Sequence, residues 1–325
     1  LMSRYTRDGL LSGHSPDSDI EPCVHHTISH GKGLATFLNH HEEEWREPPP
    51  ATLFRSTPNF GDDSNGASRS ESIPSTGTSW LDGGGDGVRF YPEIQTHIVR
   101  RAAWRGTVTG CDHSFEQEQI NSGNGLTLLW HELAGPLVTA SLRKYALVEP
   151  HNMQVTFDVK DRPLTPRVEC IHDETEYSSI NDYTADIVLI PTDDSFQLRM
   201  QCRLLDASQE GPAGQELNYV VDYVFTDNDV QLIVHPDHSA VVSSFRLVLP
   251  IISPTCETIT VKDHRTIEIR KDPCTVSVAT TGTLQLPESG TKRVFNFVPG
   301  FEAVEIHVRP DRKADEITAR IQCDV

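Results

Sequence analysis

Apolar and polar residues alternate along most of the chain from Val88 onward, and this pattern constrains the fold more than any other feature. Phe196, Leu198, Met200 and Cys202 alternate with polar side chains. Successive side chains of a strand point to opposite faces, so a period of two predicts a strand with one buried and one solvated face. The same pattern begins again at Val155, Tyr219, Phe245, Val304 and Ile317.

Turn-forming residues separate these segments, and no helical periodicity lies between them. Examples are the polar stretch 226–229 and the stretch 287–290, which contains Pro287 and Gly290. Short strands joined by turns are typical of antiparallel sheets packed face to face. The sequence therefore predicts a mainly β protein, with about a dozen antiparallel strands in a large β-sandwich over residues 88–325.

The first part of the chain has a different character. Residues 1–46 are helix-like, since Pro22 suits a first helical turn and His26, Leu34 and Phe37 recur at roughly helical spacing. Residues 47–87 are rich in Pro, Ser and Gly, as expected of a linker or an insertion. We therefore expect a short helical segment at 1–46, a linker at 47–87 and the β-sandwich at 88–325.

The charge balance restricts the partners. The 325 residues include 28 Lys and Arg against 47 Asp and Glu, which gives a net charge of −19. Such a charge repels polyphosphates and argues against a nucleic-acid partner. A cleft lined by a few Arg and His side chains can still carry a local positive field. The sequence has no apolar run of the roughly 18 residues that a membrane-spanning helix needs.

Polar and charged side chains are concentrated between Trp104 and Met153. These groups are costly to bury without partners, so their concentration predicts a polar ligand site at a cleft. The residues are Arg105, His113, His131, Arg143, Tyr145 and Asn152.

Each of these residues has a functional and a structural interpretation. His131 lies next to Trp130 at a strand end. It suits a general acid or base, with the Trp130 ring stacking on a sugar. The structural alternative is that His131 is an outward-facing strand residue. Arg105 and Arg143 suit carboxylate or sulfate recognition, or lie on a solvated strand face. Tyr145 is a proton donor or a packing residue. For Asn152, the choice is between a carboxylate contact and the start of a strand.

Two further patterns concern histidine and cysteine. His26 and His30 are four residues apart, so on a helix they share a face that suits a metal or a carboxylate, or they are simply hydrogen-bonded surface groups. The seven cysteines form no CxxC motif. Because their number is odd, a fully paired disulfide framework is excluded.

Several segments together resemble the heparinase II/III-like polysaccharide lyases. They are C-V-H-H-T-I-S-H-G-K-G-L-A, Y-P-E-I-Q-T-H, W-R-G-T-V-T-G, S-G-N-G-L-T-L-L-W-H and V-E-P-H-N-M-Q. The resemblance covers residues 20–325 and implies the last helix of an (α/α) toroid followed by an antiparallel β-sandwich. It also implies β-elimination at a uronic acid and an extracellular or periplasmic location. We expect the rest of the toroid, with any export signal, to precede Leu1.

The resemblance implies roles for individual residues. His26, His131 and Tyr145 would act in catalysis, and the substrate would contact His25, Arg105, Trp130, Arg143 and Asn152. The reaction requires no cofactor. Where the family holds a structural divalent metal, Zn²⁺ or Ca²⁺, the matching residues here are Asp112 and His113.

The sequence thus favours the carboxyl-terminal part of a polysaccharide lyase that cleaves a uronic-acid-containing glycan. One alternative is a non-catalytic carbohydrate-binding or structural β-sandwich, with Trp104 and Trp130 as a stacking platform. A second is a glycoside hydrolase, which needs two carboxylates facing one groove. Its candidates are Glu116, Glu118 and Glu132.

Overall fold

Twenty-two β-strands and two short 3₁₀ turns, at Pro92–Ile94 and Ser179–Asn181, form the described part of the chain. This computed structural model describes residues 85–110, 120–121, 124–145, 160–161, 163–192, 194–213, 216–236, 244–287, 293–296, 299–311 and 316–324. No α-helix occurs within these ranges. The helix expected at 1–46, nearly all of the linker at 47–87 and the strand expected at 155–159 lie outside them.

The strands fall into four sheets, and within each sheet the neighbours are antiparallel. The first eleven strands are β1 (Gly87–Tyr91), β2 (Thr96–Arg101), β3 (Trp104–Thr109), β4 (Ile120–Asn121), β5 (Gly125–His131), β6 (Gly135–Thr139), β7 (Leu142–Tyr145), β8 (Lys160–Asp161), β9 (Arg167–His172), β10 (Thr175–Ser178) and β11 (Asp186–Pro191). The remaining eleven are β12 (Phe196–Arg203), β13 (Asn218–Phe225), β14 (Asp229–Pro236), β15 (Ser244–Ile252), β16 (Thr258–Val261), β17 (Thr266–Arg270), β18 (Thr275–Thr280), β19 (Thr283–Gln285), β20 (Val294–Asn296), β21 (Phe301–Arg309) and β22 (Ile317–Asp324).

Three of the sheets are large and one is small. The largest has eight strands in the order β11-β12-β13-β14-β22-β18-β17-β16. A six-stranded sheet runs β10-β9-β15-β21-β19, with β20 also paired to β21. A five-stranded sheet runs β1-β2-β3-β5-β6, and β4, β7 and β8 form the small sheet. The expected antiparallel architecture is confirmed, with more strands than the dozen predicted.

The alternation in the sequence corresponds to burial in the structure. Along β12, Leu198, Met200 and Cys202 are buried while Arg199 and Gln201 are exposed. The next strand, β13, buries Tyr219, Val221, Tyr223 and Phe225. Apolar residues from all three large sheets join one core cluster, so these sheets pack on one another as a β-sandwich.

Gly106 marks a place where two of these sheets approach closely. A Cβ atom added there would lie 2.6 Å from two ring atoms of Phe225, which is fully buried on β13. Such a distance is far below van der Waals contact, so a side chain on Gly106 would have to displace the ring. Glycine at this position therefore allows β3 to pack directly against β13.

The β3–β5 ladder contains an extra residue, Thr127. Val108 pairs with Leu126 and Thr107 pairs with Leu128, so Thr127 has no partner on β3. This β-bulge places Leu126 in the core and Leu128 at the surface, where strict alternation would put both on one face. The Thr127 hydroxyl lies 2.8 Å from that of Thr107 and 3.0 Å from that of Thr109.

Candidate active site

A polar cleft of about 520 Å³, here called the arginine cleft, lies beside the outer face of the six-stranded sheet. Three of its lining residues are arginines, in a chain whose net charge is −19. It is lined by Arg143, Pro163, Arg167, Glu169, Glu176, Ser178, Ile180, Asn181, Ala207 and Arg246. The lining thus combines three arginines with two carboxylates, Glu169 and Glu176.

Strand periodicity places the charged groups on one face. Val168 and Cys170 of β9 point into the core, so Arg167 and Glu169 point the other way. Arg246 of β15 stands directly opposite Glu169 in the antiparallel ladder. The six-stranded sheet therefore carries charged residues on its outer face and hydrophobic residues on its inner face.

Buried ion pairs fix two of the three arginines. Arg167 Nε donates to Glu169 Oε1 at 2.5 Å, and Arg167 Nη2 donates to Glu305 Oε1 at 3.0 Å. Arg246 Nε donates to Glu169 Oε2 at 2.6 Å. Bonds between charged groups at such distances are strong and directional, so the guanidinium planes of Arg167 and Arg246 are held in place.

The pKa values of this cluster reflect the pairing. Burial alone would raise the pKa of the Glu169 carboxyl, but Arg167 and Arg246 outweigh burial and lower it. Burial likewise works to lower the pKa of Arg167, yet Glu169 and Glu305 raise it overall. Arg167 and Glu169 therefore both stay charged at neutral pH.

Arg143, the third arginine of the cleft, is different. It lies on β7 with only 8% of its surface exposed, and within the described part of the chain it makes no hydrogen bond or ion pair. A guanidinium remains protonated in proteins. Arg143 thus places a positive charge in the wall of the cleft that no described carboxylate pairs with, while Glu176 lies in the same lining.

His131 lies elsewhere, at the end of β5. It is 6% exposed and packs against Trp104 of β3, so the alternative of an outward-facing residue is wrong. The Leu133 N–H donates to His131 Nδ1 at 3.2 Å, so the proton of the neutral ring is on Nε2. Burial lowers the pKa of His131, and Glu132 only partly opposes it. The ring is therefore neutral at neutral pH.

Arg105 and Trp130 form a third location. They stand opposite each other in the β3–β5 ladder, on the face away from Trp104 and His131. Arg105 Nη1 donates to the carbonyl oxygens of Ala102 and Trp104, both at 2.7 Å. The guanidinium thus turns back onto its own hairpin, while Trp130 remains partly exposed.

The structure therefore separates the candidates by face and by sheet. Arg105 lies beside Trp130, His131 lies behind them against Trp104, and Arg143 lies on a different sheet. Tyr145 ends β7, where its backbone pairs with Lys160. Trp104 is fully buried, so the predicted stacking platform that included it is wrong. The residues outside the described ranges are His25, His26, Asp112, His113 and Asn152, together with Glu116 and Glu118.

Arg167, Glu169 and Arg246 were not among the site residues predicted from the sequence. A signal for the first two was present, because Arg167 and Glu169 alternate with the apolar Val168 and Cys170. Charged residues at alternate positions mark one face of a strand. Their meeting with Arg246 depends on a pairing between strands 77 residues apart, which local spacing does not reveal.

A larger polar groove of about 700 Å³ lies near Gln95, Asp182 and Arg203. Its buried carboxylate, Asp182, accepts hydrogen bonds from the Arg203 backbone N–H at 2.9 Å and from Arg203 Nη2 at 2.9 Å. These contacts satisfy the charges within the groove. The arginine cleft is the better candidate site because one of its cations, Arg143, has no such partner among the described residues.

No group of three His, Cys, Asp or Glu side chains is placed to hold a metal ion among the described residues. The part of the chain that the structure describes contains no helix long and apolar enough to cross a membrane.

Comparison with known proteins assigns this β-sandwich to a class: it is a domain of polysaccharide lyases. Residues 88–324 match the family described as Ulvan lyase C-terminal domain, and the chain belongs to this family. The expected class is thereby confirmed.

One curated relative and one solved structure are also similar to this chain. A broad-specificity ulvan lyase from Formosa agariphila is 28% identical over 313 residues, which cover 95% of this chain and 44% of that protein. The chain thus spans less than half the length of this relative. The Slr1438 protein from Synechocystis sp. PCC 6803 aligns with a TM-score of 0.39 and 8% identity, over 74% of this chain and 95% of that one.

Proposed function

We propose that this chain is the carboxyl-terminal sandwich of a polysaccharide lyase that cleaves a uronic-acid-containing glycan by β-elimination. Ulvan is the proposed substrate, because both the family and the Formosa relative carry its name. The observation that carries the proposal is the arginine cleft, where Arg143 offers a positive charge without a partner among the described residues.

The chemistry of β-elimination explains why such a cation matters. Removing the proton at C5 of a uronate places negative charge next to its carboxylate. A guanidinium that neutralises the carboxylate stabilises this charge, and a fork of two parallel N–H bonds suits the carboxylate geometry. The base that takes the C5 proton is one protein group, and a second group acts as the acid that protonates the leaving oxygen at C4. The product carries a 4,5-unsaturated uronate.

Within this proposal the remaining predicted residues keep their roles as hypotheses. His26 and Tyr145 supply the base and the acid, with His25 and Asn152 at the substrate. His131 offers its Nε2–H to the substrate as a hydrogen-bond donor, since its Nδ1 already accepts the Leu133 N–H. Arg105 and Trp130 form an outlying glycan contact.

The domain arrangement is part of the same proposal. Residues 1–46 belong to the end of a heparinase II/III-like (α/α) toroid, and residues 47–87 link it to the sandwich. The toroid of a longer protein supplies the rest of the sugar groove. The enzyme works outside the cytoplasm, where its polysaccharide substrate occurs, and Asp112 with His113 holds a structural divalent metal if one is bound.

The test is to incubate the full-length enzyme with ulvan and record the near-ultraviolet absorbance of the unsaturated uronate. We expect absorbance to rise as the chain length of the glycan falls. Binding without any unsaturated product would instead identify a non-catalytic carbohydrate-binding sandwich. New reducing ends without the unsaturated product would identify a hydrolase.

A further inference from the structure

Cys274 and Cys323 meet at one end of the eight-stranded sheet. Cys323 of β22 stands opposite Val276 of β18 in the antiparallel ladder. Cys274 comes two residues before Val276 and is buried like it, so the two side chains point to the same face of the sheet. Cys274 and Cys323 are therefore diagonal neighbours on the core side of the sheet.

The surroundings place the two thiols next to each other. Cys274 is 3% exposed, and the partly buried Cys323 packs against the hydrophobic core cluster. Burial raises the pKa of the Cys323 thiol to about 12, and the adjacent Cys274 thiol adds to this effect. Asp324 acts in the same direction, while Lys271 opposes it. Both cysteines are thiols in this structure, so the pair is in its reduced form.

The spacing of the pair suits a covalent link. Diagonal neighbours in an antiparallel sheet are about 7–8 Å apart, and a disulfide spans Cα atoms up to about 7 Å apart. Cys274 precedes Thr275, the first residue of β18 that pairs with β22, so this ladder does not fix its backbone. A small inward movement of Cys274 therefore brings the two sulfur atoms within bonding distance.

We propose that Cys274 and Cys323 form a disulfide that joins β18 to β22 under oxidising conditions. The oxidant is a low-molecular-weight disulfide. Attack by one cysteine thiolate breaks the S–S bond of the oxidant, forms a mixed disulfide and releases one small thiol. The second cysteine then displaces the other small thiol and completes the protein disulfide. Both electrons and both protons pass from the two cysteines to the two released thiols.

The link lies at a junction in the largest sheet. β22 is placed between β14 and β18, so it holds strands β16–β18 against strands β11–β14. The disulfide closes a loop of about 50 residues, and closing such a loop strongly restricts the unfolded chain. It stabilises the junction independently of the proposed lyase reaction, because the lining of the arginine cleft contains neither cysteine.

Peptide mapping of the full chain tests the link. The chain is incubated with oxidised and reduced glutathione, alkylated without reduction, digested and analysed by mass spectrometry. We expect a cross-linked peptide pair that contains Cys274 and Cys323, with both thiols alkylated only after reduction. Full alkylation of both thiols after oxidation would overturn the proposal. A main product that joins either cysteine to a different one would overturn it as well.

Thermal unfolding measures what the link does. Dithiothreitol should lower the melting temperature of the oxidised chain by about 5 °C or more. Cys274→Ala and Cys323→Ala cannot form the link, so the reductant should leave their melting temperatures unchanged. Cys256→Ala, which replaces an exposed cysteine, is the matched control and should keep the wild-type shift.

The variants separate this disulfide from any other. A wild-type shift that persists in Cys274→Ala would assign the effect to another cysteine pair and overturn the stabilising role. A linked wild-type chain whose melting temperature does not respond to dithiothreitol would overturn it too. If an alanine variant does not fold, the peptide map of the wild-type chain still decides whether the link forms.

Discussion

His131 stands directly opposite Trp104 across the β3–β5 ladder, with the two ring centroids 4.4 Å apart and the planes at 59°. The pair closes the hairpin end of the five-stranded sheet, where the His131 ring also accepts the Leu133 N–H. The imidazole is therefore built into the core as well as being a catalytic candidate. A useful substitution at this position has to separate these two roles.

His131→Ala and His131→Asn make that separation. The Ala variant loses both the ring packing and the acceptor for Leu133, so it should lower the free energy of unfolding by about 2 kcal/mol or more. Asn can keep an acceptor near the position of Nδ1 and should lose less. In the full-length enzyme we expect both to reduce kcat about a hundredfold, the scale of an acid-base group. Normal turnover by the Asn variant would show that the role of His131 is structural and not catalytic.

Glu169→Gln tests the buried ion cluster. Glu169 is 3% exposed and holds Arg167 and Arg246, so the neutral amide leaves positive charge uncompensated. We expect a loss of about 3 kcal/mol in unfolding free energy by chemical denaturation. Glu268→Gln, from the exposed pair with Lys262, is the control and should cost under about 1 kcal/mol. Similar losses for the two variants would refute the buried cluster as a stabilising unit.

The stability of the chain should fall in acid. Burial would raise the pKa of Glu169 and Asp222, but their arginine partners lower both below the ordinary values of 4.5 and 3.8. A lowered folded-state pKa means that the unfolded chain binds protons first, so this stability is present above the ordinary value and disappears as pH falls through the folded value. Melting temperature against pH should therefore decline more gently in Glu169→Gln than in wild type. Parallel curves would contradict the assignment.

Gly106→Ala tests the close approach of β3 to β13. The new methyl group would lie 2.6 Å from the Phe225 ring, and we expect a loss of about 1–3 kcal/mol. Gly85→Ala meets no atom within 4 Å and serves as the control. Phe225→Leu should recover part of the loss in the double variant, because it shortens the opposing side chain. Strict additivity in this cycle would show that the two residues do not touch.

Thiol labelling tests the burial of the cysteines. Burial raises the pKa of the Cys170 thiol to about 12, with Glu176 adding to the effect, while Cys256 is exposed. Because the thiolate is the reactive form, Cys256 should react with iodoacetamide at least about tenfold faster than Cys170. Peptide mapping by mass spectrometry gives both rates, and in denaturant they should converge. Rapid labelling of native Cys170 would contradict its place in the core.

The sequence predicted those parts of the fold that depend on local periodicity. Alternation at Phe196–Cys202 and Tyr219–Phe225 identified β12 and β13 because each strand has one face in the core. Arg143 was found as a binding candidate because arginine is conspicuous in an acidic chain. That no described residue pairs with it depends on which residues surround it in space, and sequence spacing does not reveal this. The same limit hid the Glu169–Arg246 pair, whose strands are distant in the chain.

Because Thr127 of β5 has no partner on β3, β5 can lose this residue more easily than its neighbours. Its neighbours Leu126 and Leu128 are matched to consecutive residues of β3, so removing Thr127 would leave a regular ladder with every side chain still on its present side. Removing any other internal residue of β5 would shift the register of part of the strand by one residue, so its core side chains would face the surface and its surface side chains the core. The bulge is thus the internal position of β5 that can be deleted without changing the faces of its neighbours, at the expense of the Thr127 hydroxyl contacts and of the backbone hydrogen bond from Ala140 N–H to the Thr127 carbonyl.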